Sequence, residues 1–491
     1  MKSSNKYKKL TINTFLFTIG SFGPKILTFL LVPLYTSFLT EAEYGVANII
    51  TTTVVLFTYI FTLNISDAVF RFGLDKNADN KISYFFFGLS ITLIGSVFVF
   101  VLCRVFELLT LGSYPTYCYY FLFINYLLLS LYNLCVYYLR SIEKVGHSVI
   151  AGLIYTIFVI VSNILLLVIF KKGLIGYLFS TGIGYLIAIG YCIIIIKPTF
   201  KLAKENKCSS VTRTEMIRYS TPLIFNNVSW WINSSLDTYI IDYYHGNSAT
   251  GIYGAAQKVP SILSVVLSIF LQAWGISVIQ ELKPNDEDGF FSNTFDIFTA
   301  LTFIAGSVLI LLNIPLTYLL CKKGFFEAWN YSSILIFSGC FSGLAGFVGS
   351  IFSVTKKTKL YALTSIIPVS INILLNFLLI PRIGLIGGAI ATLISYCVMF
   401  FMRLIISEVI FKWKNHIIRD SIVMVIILGQ LAFEYFLHQY FYLEVLFVLV
   451  ILAIYFRELK RILLIITNKL FKKNAKKSIE DNLHKDDTVI D

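Results

Sequence analysis

Ionisable side chains set inside long apolar runs are the residues of this chain best placed to do chemistry. Each costs about 2.5–3.5 kcal/mol at the centre of a bilayer, so it persists where it faces a cavity or a partner. Lys25 stands near the middle of the first apolar run and directly follows Gly23-Pro24. Proline removes a backbone donor and glycine loosens the turn, so a helix here bends beside its cation. Two readings of Lys25 stand open: an ammonium in a watery cavity, able to meet a phosphate, or a lysine paired with a neighbouring carboxylate or carbonyl. Asp237 and Lys258 form a second pair of interest. Each is expected ~10 Å below the same membrane surface at 1.5 Å of rise per residue, so they can meet across a hairpin. Such a contact serves either as a structural ion pair or as a gate sensitive to protons or cations. Asp67 and Arg71 are four apart, an acid before a base, which favours a helical pair worth ~0.2–0.5 kcal/mol. Arg71 is also placed to greet an anionic headgroup. Arg403, Arg140 and Lys144 sit toward segment ends, where long side chains snorkel to the interface.

These residues must be positioned by membrane helices. The chain has 491 residues, 57% hydrophobic and only 14% charged, against roughly 45–50% and about 25% in soluble domains. Its apolar blocks of about 20 residues match ~30 Å of hydrocarbon crossed as helix. A transmembrane barrel would alternate over about 10 residues instead. The blocks predict an all-α integral membrane protein of about fourteen transmembrane helices. The first is placed at 10–39, the second at 44–69, the seventh and eighth at 216–244 and 252–279, and the last two at 417–437 and 441–456. With both termini cytoplasmic, the inner segments carry 31 Lys plus Arg and the outer loops six, as the positive-inside rule requires.

The sequence also repeats itself. Tyr44-Gly45 returns as Tyr253-Gly254 and Asn163-Ile-Leu-Leu as Asn372-Ile-Leu-Leu, both 209 residues on, while Gly173-Leu-Ile-Gly returns as Gly384-Leu-Ile-Gly after 211. Six helices per half is an even number, so both halves insert the same way up, a common transporter plan with the substrate path between lobes. The expected division is an N-lobe at 1–209, a C-lobe at 210–410, helices 13 and 14 at 411–466, and a disordered cytoplasmic tail at 467–491.

Other function classes are excluded or left without support. The net charge of +13 lies between apolar blocks, so membrane topology explains it and nucleic acid is not an expected partner. Eight scattered cysteines form no C-x-x-C pair and read as small buried hydrophobes. Neither a metal site nor a cofactor motif is expected, and the absence of a P-loop argues against ATP hydrolysis. Most of the 30 Tyr and 44 Phe belong to packing and interfacial belts. Trp230 and Trp231 are candidates to stack on sugar rings, although spacing does not say which aromatics face inward.

The run Lys25-Ile-Leu-Thr-Phe-Leu-Leu-Val-Pro-Leu-Tyr-Thr-Ser-Phe-Leu-Thr-Glu-Ala-Glu-Tyr-Gly-Val46, followed by Phe70-Arg71-Phe72, resembles the N-terminal signature of the Wzx-type polysaccharide biosynthesis flippases. That family belongs to the multidrug/oligosaccharidyl-lipid/polysaccharide exporter superfamily. Asp237 with Gly251-Ile-Tyr-Gly-Ala-Ala-Gln-Lys258 is similar to its seventh and eighth helices. The run from Asn372 to Ala389 resembles its eleventh-to-twelfth turn. Where the family often has Asp-Arg, this chain has Asp237-Thr238. The resemblance implies a V-shaped, two-lobed, non-enzymatic transporter that alternates between inward and outward states. It implies carriage of undecaprenyl-diphosphate-linked repeat units for O-antigen, capsule or another surface polysaccharide across a bacterial inner membrane. It further implies membrane lipids, a polysaccharide polymerase and a chain-length regulator as partners, with a proton or sodium as coupling ion. A multidrug or cation antiporter and a lipid II flippase of the same superfamily are the alternatives. Lys25, Lys258 and Arg71 are the candidate substrate contacts, Asp237 and Asp67 the candidate gate or ion-coupling residues, and Gly23-Pro24 the helix break. On this reading Lys25→Ala abolishes surface polysaccharide while the protein still inserts. Retained polymer would remove Lys25 from the site.

Overall fold

Apolar runs of this length can satisfy their backbone in hydrocarbon only within helices or a closed barrel, and this chain uses helices. The computed structural model describes residues 29–75, 81–109, 114–204, 209–281, 286–355, 357–461 and 464, and every regular element among them is helical. Helices α1 to α7 run Val32–Phe38, Glu41–Phe61, Ile65–Gly73, Lys81–Leu109, Thr116–Ser141, Val145–Asn163 and Gly173–Ile196. Then come α8 Ser210–Ala256, α9 Lys258–Glu281, α10 Phe290–Leu311, α11 Asn313–Leu320, α12 Trp329–Val354, α13 Thr358–Ile383 and α14 Leu385–Phe411. The last pair is α15 Ile417–Leu437 and α16 Val445–Ile454.

Eleven helical stretches among the described residues are long and apolar enough to span a membrane. Two exceed one crossing: Ser210–Gln272 has 63 residues and Ile417–Ile454 has 38, ~95 Å and ~57 Å of helix against ~30 Å of hydrocarbon. Both turn back on themselves. Gly246, at φ 80° and ψ 178°, breaks the first, and the Tyr253 hydroxyl then reaches Asp237 at 2.5 Å. The second turns through the 3₁₀ segment His438–Glu444, bringing the Tyr455 hydroxyl within 2.9 Å of Asp420. Counted so, thirteen of the fourteen expected crossings lie among the described residues. The first expected helix is described only from Phe29, so Lys25, Gly23 and Pro24 lie outside the described residues, as does the tail at 467–491.

Local chemistry adjusts several expected boundaries. α2 begins at Glu41 because Thr40 and Glu43 close a capping box. The Glu43 amide donates to Thr40 Oγ1 at 3.2 Å and the Thr40 amide to Glu43 Oε2 at 2.9 Å. The expected helix at 44–69 is two helices, because Leu63 and Asn64 take left-handed φ values of 51° and 53°. Asparagine visits that region more readily than most residues. The internal repeat reappears as backbone conformation: Gly173 and Gly384, which enter α7 and α14, have φ of 54° and 66°. Asn163 and Asn372, matched in the same repeat, are both buried.

Arg403 corrects the expectation of snorkelling. It is fully buried on α14. Its Nη1 donates to the Ala345 carbonyl at 2.8 Å, Nη2 to Ser365 Oγ at 2.9 Å and Nε to Thr364 Oγ1 at 3.4 Å. The guanidinium carbon lies 4.6 Å from the Tyr361 ring centroid. A planar, weakly hydrated fork of donors suits such a cage, and it ties α14 to α12 and α13. Arg140 and Lys144 do stand at the end of α5, where Arg140 Nε donates to Ser148 Oγ at 3.4 Å.

The two halves meet where α2 begins. Gly45 and Gly251 bring α2 and α8 together backbone to backbone: a Cβ on Gly251 would lie 1.9 Å from the Glu41 carbonyl oxygen, and one on Gly45 2.0 Å from that of Asn247. Around this contact Thr36 Oγ1 donates to the Leu320 carbonyl at 2.8 Å and accepts the Lys322 amide at 3.2 Å. The Tyr44 and Phe325 rings meet edge-on at 5.5 Å. In the loop before α5, Tyr114 donates its hydroxyl to Asp242. Burial and that carboxylate raise the Tyr114 phenol above its usual range. Gly251→Ala forces a methyl into this contact, an overpacking expected to cost about 1–3 kcal/mol. Its thermal unfolding midpoint should fall, while Gly146→Ala, whose Cβ meets nothing within 4 Å, should melt as wild type. Equal melting of both variants would show that the glycine contact is not needed.

Candidate functional site

α8 gives way to α9 across the single residue Gln257, and Lys258 stands at that junction. Its side chain lines two cavities at once. One, of about 260 Å³, is walled by Tyr35, Tyr155, Tyr177 and Tyr185 with Asn125 among them. The other, of about 480 Å³, is lined by Asn48, Tyr59, Trp230, Trp231 and Ser234. Thr51 and Val55 of α2 also border both. Among the described residues no carboxylate lines either space. Among the described residues none pairs with the Lys258 ammonium.

The ion pair considered between Asp237 and Lys258 is therefore not formed. Asp237 is buried and is satisfied by neutral donors. Tyr253 donates its hydroxyl at 2.5 Å, the Thr238 amide donates at 2.9 Å, and Thr392 Oγ1 lies at 3.4 Å. The reason is the tightness of the turn. Helix resumes directly after Gly246 rather than at residue 252, which carries Lys258 ~8 Å deeper than the sequence suggested. Tyr253 takes the place opposite Asp237.

The other candidates fall elsewhere. Asp67 and Arg71 share α3 but form no ion pair. Arg71 is exposed, where a hydrated pair gains little, and Asp67 is half-buried. Neither lines the two cavities. Lys25 lies outside the described residues.

Trp230 and Trp231 do face the larger cavity. Trp231 is held there by donating Nε1 to the Thr52 carbonyl at 3.0 Å. Tyr239 supports the same wall, its hydroxyl 2.6 Å from Thr53 Oγ1. Sequence reasoning missed the tyrosine walls and Asn125. Tyr177 and Tyr185 are eight apart on α7, so they share a helix face, but nothing in the sequence says that this face looks inward. It also missed two buried carboxylates on the final hairpin. Glu434 accepts Asn313 Nδ2 at 2.8 Å and Glu444 accepts Gln430 Nε2 at 2.9 Å, and neither lines the cavities that Lys258 borders.

The arrangement is one cation among hydroxyls, amides and aromatic faces in paired cavities. It suits an anionic, hydroxylated ligand, and among the described residues neither wall brings a nucleophile beside a general base. Among the described residues no group of three or more His, Cys, Asp or Glu could hold a metal ion.

Residues 10–275, more than half of the chain, match the family model described as polysaccharide biosynthesis protein. An uncharacterized membrane protein of Methanocaldococcus jannaschii is 25% identical over 267 residues, 50% of this chain and 60% of that protein, so the chain spans under two thirds of that relative's length. Among solved structures, lipid II flippase MurJ in an inward closed conformation superposes with a TM-score of 0.67 at 17% identity, over 92% of this chain and 100% of MurJ. An inward-facing multidrug resistance MATE family transporter gives 0.62 at 12% identity, over 78% and 95%. A MOP superfamily transporter from Pyrococcus furiosus gives 0.57 at 13%, over 82% and 96%. At such identities the likeness is one of fold. The chain belongs to the polysaccharide biosynthesis protein family, as a multi-pass membrane protein with the fold shared by MurJ and the MATE transporters.

Proposed function

We propose that the chain is a flippase for lipid-linked oligosaccharides, moving repeat units on an undecaprenyl-diphosphate carrier from the cytoplasmic to the outer leaflet of a bacterial inner membrane by alternating access. The observation that carries this reading is the Lys258 ammonium, unpaired among the described residues, where two hydroxyl-rich and aromatic cavities meet. A diphosphate supplies the missing counter-charge, and sugars match the surrounding walls. The polyisoprenoid tail stays in the bilayer while only the head crosses between a lobe at 1–209 and one at 210–410. Moving an anion out of an inside-negative cell gains about 2.3 kcal/mol per charge per 100 mV.

Both termini are placed in the cytoplasm, in keeping with the charge bias of the loops. The Gly45–Gly251 contact then closes the outer end, so the cavities belong to a state that receives substrate from inside. Lys25 is a second proposed phosphate contact, and exposed Arg71 greets the headgroup at the inner mouth. Asp237 remains the candidate for coupling to a proton or sodium, with Asp67 the second candidate at the inner end. A polymerase and a chain-length regulator would take the product onward. An exporter of cationic drugs would want carboxylates on the cavity wall, and none stands there among the described residues. A lipid II flippase shares the anionic head and is separated by asking whether peptidoglycan synthesis depends on the protein.

A charge-assisted hydrogen bond is worth about 1.5–3 kcal/mol, so Lys258→Ala should slow flipping in proteoliposomes by about ten- to a hundredfold. Lys258→Arg should keep most of the rate. Wild-type flipping by Lys258→Ala, inserted to the same level, would overturn the reading.

A further inference from the structure

The smaller cavity has a chemistry of its own. Its tyrosines are organised against each other: Tyr155 and Tyr185 stack at 4.4 Å with planes 21° apart, and Tyr177 meets Tyr35 edge-on at 4.9 Å. The space between them is bordered by phenol hydroxyls, Thr156, Thr181 and Asn125. Among the described residues the walls carry one charge, that of Lys258, which lines this space and the larger one together.

One acceptor in the wall has no donor. Asn125 is 4% exposed and its Nδ2 donates to the Phe121 carbonyl at 3.0 Å, while its Oδ1 meets no hydrogen-bond partner. A buried acceptor left unmade costs free energy that a ligand hydroxyl would return. Aromatic faces add a surface for the C–H side of a ring, and phenol and threonine hydroxyls suit its polar rim. At about 260 Å³ the cavity is smaller than the roughly 300–1,000 Å³ of drug-sized pockets. It takes one ring rather than an oligosaccharide.

We propose that this tyrosine-walled cavity is a subsite for a single neutral sugar, the one bonded directly to the carrier diphosphate. The inference rests on the phosphate reading of Lys258 and adds to it. With the phosphate at Lys258, the only sugar within reach of the pocket is the one joined to that phosphate. The remaining sugars extend into the larger cavity beside Trp230 and Trp231.

The test measures binding of three lipids to the full-length protein in nanodiscs: bare undecaprenyl diphosphate, and the same lipid carrying one glucose or one N-acetylglucosamine. Wild type should bind at least one glycosylated lipid about tenfold more tightly than the bare one, the equivalent of a stacking contact with a hydrogen bond. Asn125→Leu and Tyr185→Leu should each bring that ratio close to one and leave the bare lipid's affinity within about twofold of wild type. Tyr185→Phe, which keeps the ring, should retain most of the ratio. Lys258→Ala should weaken all three lipids alike. Absence of any sugar preference in wild type, or its persistence in both leucine variants, would overturn the subsite while leaving the Lys258 reading intact. Loss of bare-lipid binding in both leucine variants would show that the wall serves structure instead. Unchanged affinities in Lys258→Ala would overturn the phosphate reading and the subsite with it.

Discussion

Hydrocarbon offers a charge no solvent, and the chain meets that constraint differently at each ionisable group it buries. Arg403 is wrapped by a carbonyl, two hydroxyls and a ring face. Asp237 is held by a phenol, a backbone amide and a threonine. Glu434 and Glu444 each accept a side-chain amide. For Arg403, Asp237 and Glu434 the protein supplies partners that water would have supplied, which is the condition for a buried polar group to be tolerated, while Glu444 is paired through one oxygen only. Lys258 differs because it borders both cavities and no described residue pairs with it. A group whose desolvation is left uncompensated by the described protein atoms is one that an anionic ligand can satisfy, and that sets Lys258 apart as a binding group.

Backbone geometry places that charge. The turn at Gly246 is one residue wide, so the two limbs of α8 run back along each other from its tip. Close packing of Gly45 on Gly251 holds the same end of α2 against the returning limb. Lys258 consequently sits at the foot of a hairpin whose upper part is sealed, below the contact between the halves and beside α2. The same contact carries Thr51, Thr52 and Asn48 of α2 into the cavity walls. A wider turn would leave Lys258 higher in the bundle, nearer Asp237, and would change both its partner and its use.

The segment count, the helical class and the internal repeat were legible in the sequence because they depend on local quantities: run length, apolar content and recurrent glycines. Gly173 and Gly384 illustrate this, since a motif repeated in the sequence became a positive-φ glycine at the start of each of two helices. Lys258 was likewise marked by its cost in an apolar run. What failed was distance between elements. The pairing of Asp237 with Lys258 assumed a loop several residues long, and a single glycine shortened it. Arg403 seemed near enough to an end to reach the interface, yet neighbours from α12 and α13 offered it a cage. Asp67 and Arg71 have the spacing of a helical pair, but a pair worth so little does not decide where an exposed arginine points.

Composition and periodicity, then, determined that this chain lives in a membrane as two similar sets of helices with a few costly charges. Those properties follow from the transfer energy of each residue and need no knowledge of its neighbours. Which charges are caged, which one is left facing space, and which tyrosines share its cavity were decided only by tertiary structure. An apolar helix in lipid has little amphipathic pattern to betray its inner face, so the direction in which Tyr155, Tyr177, Tyr185 and Asn125 look emerges only once the helices pack.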